Sequence, residues 1–288
     1  MNPLSIGFLL PHYSQPSKSH LPVAMRILAE RGVLVEVIHP SDRVFHVSTV
    51  QVDHDLYVLK NTSRLALSLA GALHTQGAAI VNPYPATVSL QDRIITSRIL
   101  ESAGVPSPAA YVVSHPARAA PLLEGGPLVV KPYQGSGDTC VVHSVAELAA
   151  LPAGKDPTFV QRYHPPHGRD RKIYSIGGQL FGVKKIFPPT GVEGEPFIPT
   201  PELCEIARRC GRAFGIDLYG VDIIESEGKP YVVDMCSIPG CRGVPDGAAH
   251  LASYLYAAAE RAARGQSLLV SRTADRDGSP VVAGYSND

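Results

Sequence analysis

The chain has 288 residues, with 26 Lys+Arg against 26 Asp+Glu and a hydrophobic fraction of 44%. That length holds roughly two or three compact lobes, and the zero net charge removes any bulk attraction to nucleic acid or an anionic membrane. Five cysteines, odd in number and without close pairing, fit a reducing, cytoplasmic setting, and the apolar run Ile6–Leu10 is too short for a secretory signal or a membrane span.

In chain order, "LSIGFLL" predicts a short apolar strand and "LPVAMRILAERG" a helix with Pro22 in its first turn and Gly32 at its end. "VLVEVIHP" and "DLYVLK" follow as strands, "SRLALSLAGALHTQG" as a helix and "AAIVNP" as a strand. This alternation predicts a parallel sheet covered by helices, with ligands beyond the strands' carboxyl ends. The loop His12–His20 and Lys60 fall there, although a lysine ending a strand is also an ordinary surface residue.

"TVSLQDRIITSRILESAGVPSP" predicts one helix with Leu90, Ile94, Ile95 and Ile99 on its apolar stripe, stopped by Gly104 and Pro106. The pattern then changes to hairpins: "PLVVKPY", "TCVVHS", a short helix "VAELAAL" and a strand "TFVQRYH". In "RKIYSIGGQLFGVKKI", Gly177-Gly178 marks a two-residue turn that sets Arg171 opposite Lys184 and Asp170 opposite Lys185. "TPELCEIARRCGRAFG" reads as a helix with Thr200 as cap, Pro201 at its first position and Gly215 past its end. Its stripe makes Cys204 and Cys210 core residues. A last hairpin, "YGVDIIESEGKPYVVDM", precedes the helix "AAHLASYLYAAAERAARG". The tail from Gln266 shows no periodicity and reads as loose chain.

Two places carry chemistry. In the last hairpin, Asp234 and Cys236 share one strand face and Val233 and Met235 the other. A three-residue turn at Glu227-Gly228-Lys229 sets Asp222 directly opposite Asp234, whereas a two-residue turn leaves them diagonal. Facing carboxylates repel unless a cation lies between them. Magnesium, which takes two carboxylates plus phosphate oxygens, answers that need; the alternative is that one acid simply faces solvent. Upstream, "PLVVKPYQGSGDT" ends an apolar strand with Lys131 just before Gly135, Ser136 and Gly137, a workable phosphate cradle. His164 and His167, in "YHPPHG", read as loop residues rather than a metal pair.

The order of these motifs — "QDR" helix, lysine strand with glycine loop, "TFVQRY", Asp/Lys hairpin, Thr-Pro-Glu helix, "GVD…VVD" hairpin — resembles the ATP-grasp superfamily over residues 1–262. Within it, the chain is similar to the ribosomal-S6-modification type of carboxylate–amine ligase, and to the inositol-phosphate kinases of the same fold. The resemblance implies an α/β (α+β) ATP-grasp fold. An N-terminal parallel-sheet domain with its linking helix would span 1–104, a small central lid 105–164 and a C-terminal antiparallel-sheet domain 165–265. Residues 266–288 would form a flexible tail.

It further implies ATP and one or two magnesium ions, with manganese as substitute. Lys131 and Arg93 would meet the phosphates, with Gly135, Ser136 and Gly137 over them. Gln161, Arg162 and Tyr163 would read the adenine, and Asp170 would touch the ribose. Lys172, Lys184 and Lys185 would steady the γ-phosphate or acyl phosphate, although a solvated basic face is their ordinary reading. Asp222 and Asp234 would hold the metal.

Three departures stand out. Cys236 occupies the position where the family writes an asparagine ligand, and a thiol suits a hard cation poorly, so it is not expected to bind magnesium. Arg93 replaces the usual lysine, a planar fork for a point donor. Asp138 and Cys140 stand where the loop usually has glycines.

The implied activity joins a small-molecule or peptide carboxylate to an amine acceptor through an acyl phosphate. A kinase phosphorylating a polyol hydroxyl and a non-catalytic nucleotide-binding regulator are the alternatives. No nucleic-acid or membrane partner is expected, and ligases of this type are often homodimers or homotetramers. The acceptor would lie near loops 12–20 and 187–198, with "GVEGEP" (191–196) as a mobile segment.

Overall fold

The computed structural model describes residues 3–13, 19–135, 138–152, 154–184 and 194–269. The first third forms β1 (Ser5–Leu9), α1 (Leu21–Glu30), β2 (Leu34–Ile38), β3 (Leu56–Leu59), α2 (Arg64–Thr75) and β4 (Ile80–Val81). The four strands pair in parallel in the order β2-β1-β3-β4. Such a sheet is buried on both faces: Ile6 and Phe8 face one core, Leu9 and Leu59 the other.

The single helix expected at 87–104 is broken. It forms α3 (Tyr84–Gln91) and α4 (Arg93–Ser102), separated by Asp92. Asp92 adopts extended backbone, and its carboxylate accepts from the amides of Ile94 and Ile95. A local acceptor thereby caps a new helix instead of continuing the old one. The break turns Ile95 outward to 43% exposure, while Leu90 and Leu100 are buried.

A second body follows. It holds β5 (Ala110–Val113), β6 (Leu128–Pro132), β7 (Cys140–Val142), α5 (Val145–Ala150) and β8 (Thr158–Arg162), with strand order β5-β8-β6-β7. Neither β5 nor the 3-10 stretch Pro116–Gly125 was foreseen. Ala119, Leu128, Val130, Val142, Leu148 and Val160 make a small core of their own there.

The remainder contributes β9 (Arg171–Ile176), β10 (Gln179–Lys184), β11 (Glu195–Phe197), α6 (Pro201–Phe214), β12 (Leu218–Ser226), β13 (Lys229–Ser237) and α7 (Gly247–Ala263). The strands run β11-β10-β9-β12-β13. Gly177 and Gly178, at φ 61° and 82°, make the β9–β10 turn in the left-handed backbone that glycine adopts freely. In α6, Thr200 accepts from the Leu203 amide and Gly215 closes the helix at φ 61°; Cys204 and Cys210 are both buried in its stripe. Part of "GVEGEP" corrects the loop reading, because Glu195 and Pro196 pair with Lys184 and Val183; residues 191–193 lie outside the described residues.

Two cores tie these pieces together. On one face of the C-terminal sheet, Tyr174, Phe181, Val183 and Leu218 pack with Ile6, Phe8 and Val58 of the parallel sheet and Leu255 of α7. On the other face, Ile173, Val221, Val232 and Met235 pack with α6 and with Leu90 and Leu100 of α3 and α4. The linking helix therefore shares its core with the C-terminal sheet.

Candidate active site

The acid pair comes together, by a route different from the one expected. Ser226 pairs with Lys229, so the turn has two residues, Glu227 and Gly228, both at positive φ. That register alone would set Asp222 opposite Val233. The ladder shifts by one between Asp222 and Ile223, Val233 becomes the extra residue of a β-bulge, and Asp222 pairs with Asp234 after all.

Lys172 extends the row. It is the cross-strand partner of Asp222 on β9, and its Nζ donates to Asp222 Oδ2 at 3.0 Å with the two side chains 15% and 11% exposed. Burial by itself would lower the Lys172 ammonium, but the adjacent Cys236 sulfur, Asp222 and Tyr174 outweigh it and hold the group above its ordinary range. Gly220, paired with both Tyr174 and Cys236, makes the room. A Cβ on it would lie 2.9 Å from Lys172 Cε and 3.1 Å from Cys236 Sγ. A glycine in mid-strand signals such close approach, and it was the sign available for this missed position.

Beyond β13 the chain turns sharply. Ile238, buried, sits at φ 43°, a strained state for a β-branched residue. Its carbonyl accepts from Lys60 Nζ at 2.6 Å. Burial lowers the Lys60 ammonium below its ordinary value, with Lys172 and Arg242 adding repulsion against the opposing pull of Cys236 and Cys241. The Gly240 carbonyl accepts from the His20 amide at 3.0 Å. The carboxyl ends of the parallel sheet thus abut the end of β13. Lys60 belongs to that junction and is no simple surface lysine.

Lys131 faces the acid row from the second body. Its Nζ donates to Gln161 Oε1 at 2.8 Å and to the Val233 carbonyl at 2.9 Å. The bulge that aligns the acids thus also offers the carbonyl that Lys131 grips across the cleft. A crevice there is lined by Arg93, Thr96, Phe159, Gln161, Val233 and Asp234. Arg93 is turned to the backbone: Nη1 donates to the carbonyls of Pro132 at 2.7 Å and Gly135 at 2.9 Å. Gly135 stands at φ 70°; Ser136 and Gly137 lie outside the described residues.

At the expected adenine segment, Gln161 is buried. The Arg162 and Tyr163 amides donate to Ala109 and Pro127 carbonyls at 2.8 and 3.1 Å. The Arg162 guanidinium donates to the Gly126 and Leu122 carbonyls, bracing the 3-10 stretch. His164 stacks on Tyr231 with ring centroids 4.1 Å apart. The His167 amide donates to the Glu225 carbonyl at 2.7 Å, so both histidines serve the loop.

Lys184 is not brought to the acid row. It pairs with Arg171 in the register, and strand alternation puts both on the face opposite Lys172. There Arg171 meets Glu225 at 2.9 Å, and Lys184 lies 3.7 Å from Glu195, which also takes Arg169 at 2.8 Å. Lys185, expected opposite Asp170, lies outside the described residues; Asp170 itself is half-buried just before β9.

The donor set is of the kind a hard cation takes. Two carboxylates in direct register leave the remaining positions to phosphate oxygens and water. Among the described residues, no group of three or more His, Cys, Asp or Glu side chains could hold a metal; Cys236, beside them, is soft, and Lys172 already brings one positive charge to Asp222.

No family model matches the chain. Alpha-aminoadipate--LysW ligase LysX of Saccharolobus solfataricus is 24% identical over 238 residues, covering 75% of this chain and 85% of that protein. Among solved structures, a RimK domain ATP-grasp protein of Sphaerobacter thermophilus superposes with a TM-score of 0.70 at 18% identity, over 88% of this chain and 99% of that one. The ATP-grasp ligase PsnB, complexed with a minimal precursor, Mg and ADP, gives a TM-score of 0.66 at 16% identity, over 89% and 98%. The fold is the ATP-grasp fold.

Proposed function

We propose that this chain, an ATP-grasp carboxylate–amine ligase of the RimK type, acts on an amino-acid or peptide carboxylate and activates it as an acyl phosphate. The observation that carries this reading is the register row Lys172–Asp222–Asp234, with Asp234 lining a crevice beside the Val233 carbonyl that accepts from Lys131. Amino-acid and peptide substrates are named for relatives and fold neighbours, LysX and PsnB among them, and the class is carried over on that similarity. Five free thiols support a reducing, cytoplasmic setting. Among the described residues no helix is long and apolar enough to cross a membrane.

In the proposed chemistry, a carboxylate oxygen of the first substrate attacks the γ-phosphorus of ATP and ADP departs. The amine of the second then attacks the acyl carbon, inorganic phosphate leaves with its oxygen, and the amine gives up a proton. No protein nucleophile is needed; the chain's task is positioning and charge balance. Lys131 exchanges its Gln161 and Val233 acceptors for phosphate oxygens. Lys172 keeps Asp222 oriented and adds a fixed positive charge beside the transferring group. One magnesium ion, held by Asp222 and Asp234, would neutralise phosphate charge when bound. A single ion, rather than two, is our reading of the Cys236 position.

The test is ADP release measured over paired amino acids and short peptides, with Asp234→Asn as control. Release that requires both a carboxylate and an amine supports the ligase. Phosphorylated product formed without an amine would point instead to a kinase, and nucleotide binding with no release under any pair would point to a regulator.

A further inference from the structure

The glycine loop after β6 is held by its neighbour in space, the start of α4. The Arg93 amide donates to the Tyr133 carbonyl at 2.8 Å. Arg93 Nη1 donates to the carbonyls of Pro132 and Gly135 at 2.7 and 2.9 Å. Asp92, one residue earlier, bridges to Gln134 while its carboxylate caps α4. Four consecutive loop residues, 132–135, are thus gripped by two residues at a helix start. Both hydrogens of Nη1 are taken up by these two carbonyls, and Nε is buried without a partner.

We infer that Arg93 is a positioning residue that sets the conformation of the phosphate loop through its backbone. An ammonium is a compact point charge and a guanidinium a rigid fork. A lysine ammonium can also donate to two carbonyls, but it ends one bond short of the position of Arg93 Nη1 and is not held in a plane. Arginine at this position is therefore no conservative stand-in for lysine. Besides its charge it brings a clamp on the loop that follows β6. This reading concerns the loop and holds whatever the two joined substrates are.

The experiment compares Arg93→Lys and Arg93→Gln with the unaltered chain, full length. It reads hydrogen–deuterium exchange over residues 130–140 and the Kd of the non-hydrolysable analogue AMPPNP with magnesium. A hydrogen bond from a charged donor is stronger than a neutral one. Arg93→Lys is accordingly expected to speed exchange in the loop by about tenfold or more and to weaken AMPPNP by a similar factor, despite keeping the charge. Arg93→Gln should do the same to the loop. Unchanged loop exchange in Arg93→Lys, with affinity lost only when the charge is removed, would overturn the inference in favour of direct phosphate contact. Unchanged exchange and affinity in both variants would overturn it outright. Circular dichroism melting identifies a variant that has failed to fold, and the milder Arg93→Lys then decides. Neither readout needs the substrates, so failure here is distinct from failure of the ligase reading.

Discussion

Asp222 accepts from Lys172 and faces the acid Asp234, and the two acids should respond differently to mutation. Asp234→Asn removes a charge from the cleft-facing end of the row. It is expected to lower ADP release by about 10²–10³-fold, the scale of losing one electrostatic stabiliser, with an unchanged circular dichroism melt. Lys172→Met takes the ammonium from Asp222, whose side chain is 11% exposed, and breaking a buried pair from one side costs about 3–5 kcal/mol. The double variant Lys172→Met/Asp222→Leu should recover most of that stability in urea unfolding and still release no ADP. Recovery of both stability and turnover would show the pair to be purely structural.

His164 provides a pH handle at the same scale. Burial lowers its imidazole pKa below the ordinary 6.5, so the unfolded chain binds the proton more readily than the folded one. Stability is then fully present above the unfolded value and declines as pH falls from there through the lower, folded value. His164→Phe keeps a ring against Tyr231 and removes the titration. Urea midpoints measured from pH 7.5 to 5 should fall less steeply in that variant than in the unaltered chain.

At the scale of elements, the β12–β13 hairpin is the controlling unit. A regular ladder from its two-residue turn would face Asp222 with Val233; the bulge restores the acid pair and frees the Val233 carbonyl for Lys131. Gly220 is the second device. Its missing side chain is the space where Lys172 leans toward Cys236. Gly220→Ala forces a Cβ against Lys172 Cε at 2.9 Å. Overpacking of this kind costs about 1–3 kcal/mol, and Lys172 must leave its rotamer. Turnover should drop by more than stability alone explains, read as kcat at a temperature well below the melt.

Over the whole molecule, the parallel sheet and the C-terminal antiparallel sheet are not separable bodies, because Ile6, Phe8 and Val58 bury against Tyr174, Phe181 and Leu255. Residues 1–104 expressed alone would expose that face, along with Leu90 and Leu100, which need α6 and β13. We expect the fragment to lack a cooperative thermal transition by circular dichroism. The 110–162 body has its own small core and meets the acid row through the Lys131 contact, a polar joint that can be exchanged for phosphate oxygens.

The sequence by itself determined the elements whose signals are local. These are the Thr200–Gly215 helix with its cap and stop, the Gly177-Gly178 turn and the apolar strands of the first third, because caps, turns and periodicity act within a few residues. It also brought the two acids to one hairpin. Only the tertiary structure decided the rest. The cap that breaks the helix at Asp92 is local, but the bridge that ties this point to Tyr133 and Gln134, some forty residues away, is not. The face of Lys184 and the bulge at Val233 are matters of register, which a one-residue shift reverses and which no side chain in the turn announces. The charge of Arg93 is visible in the sequence, whereas the carbonyls it grips belong to backbone that acquires a direction only on folding.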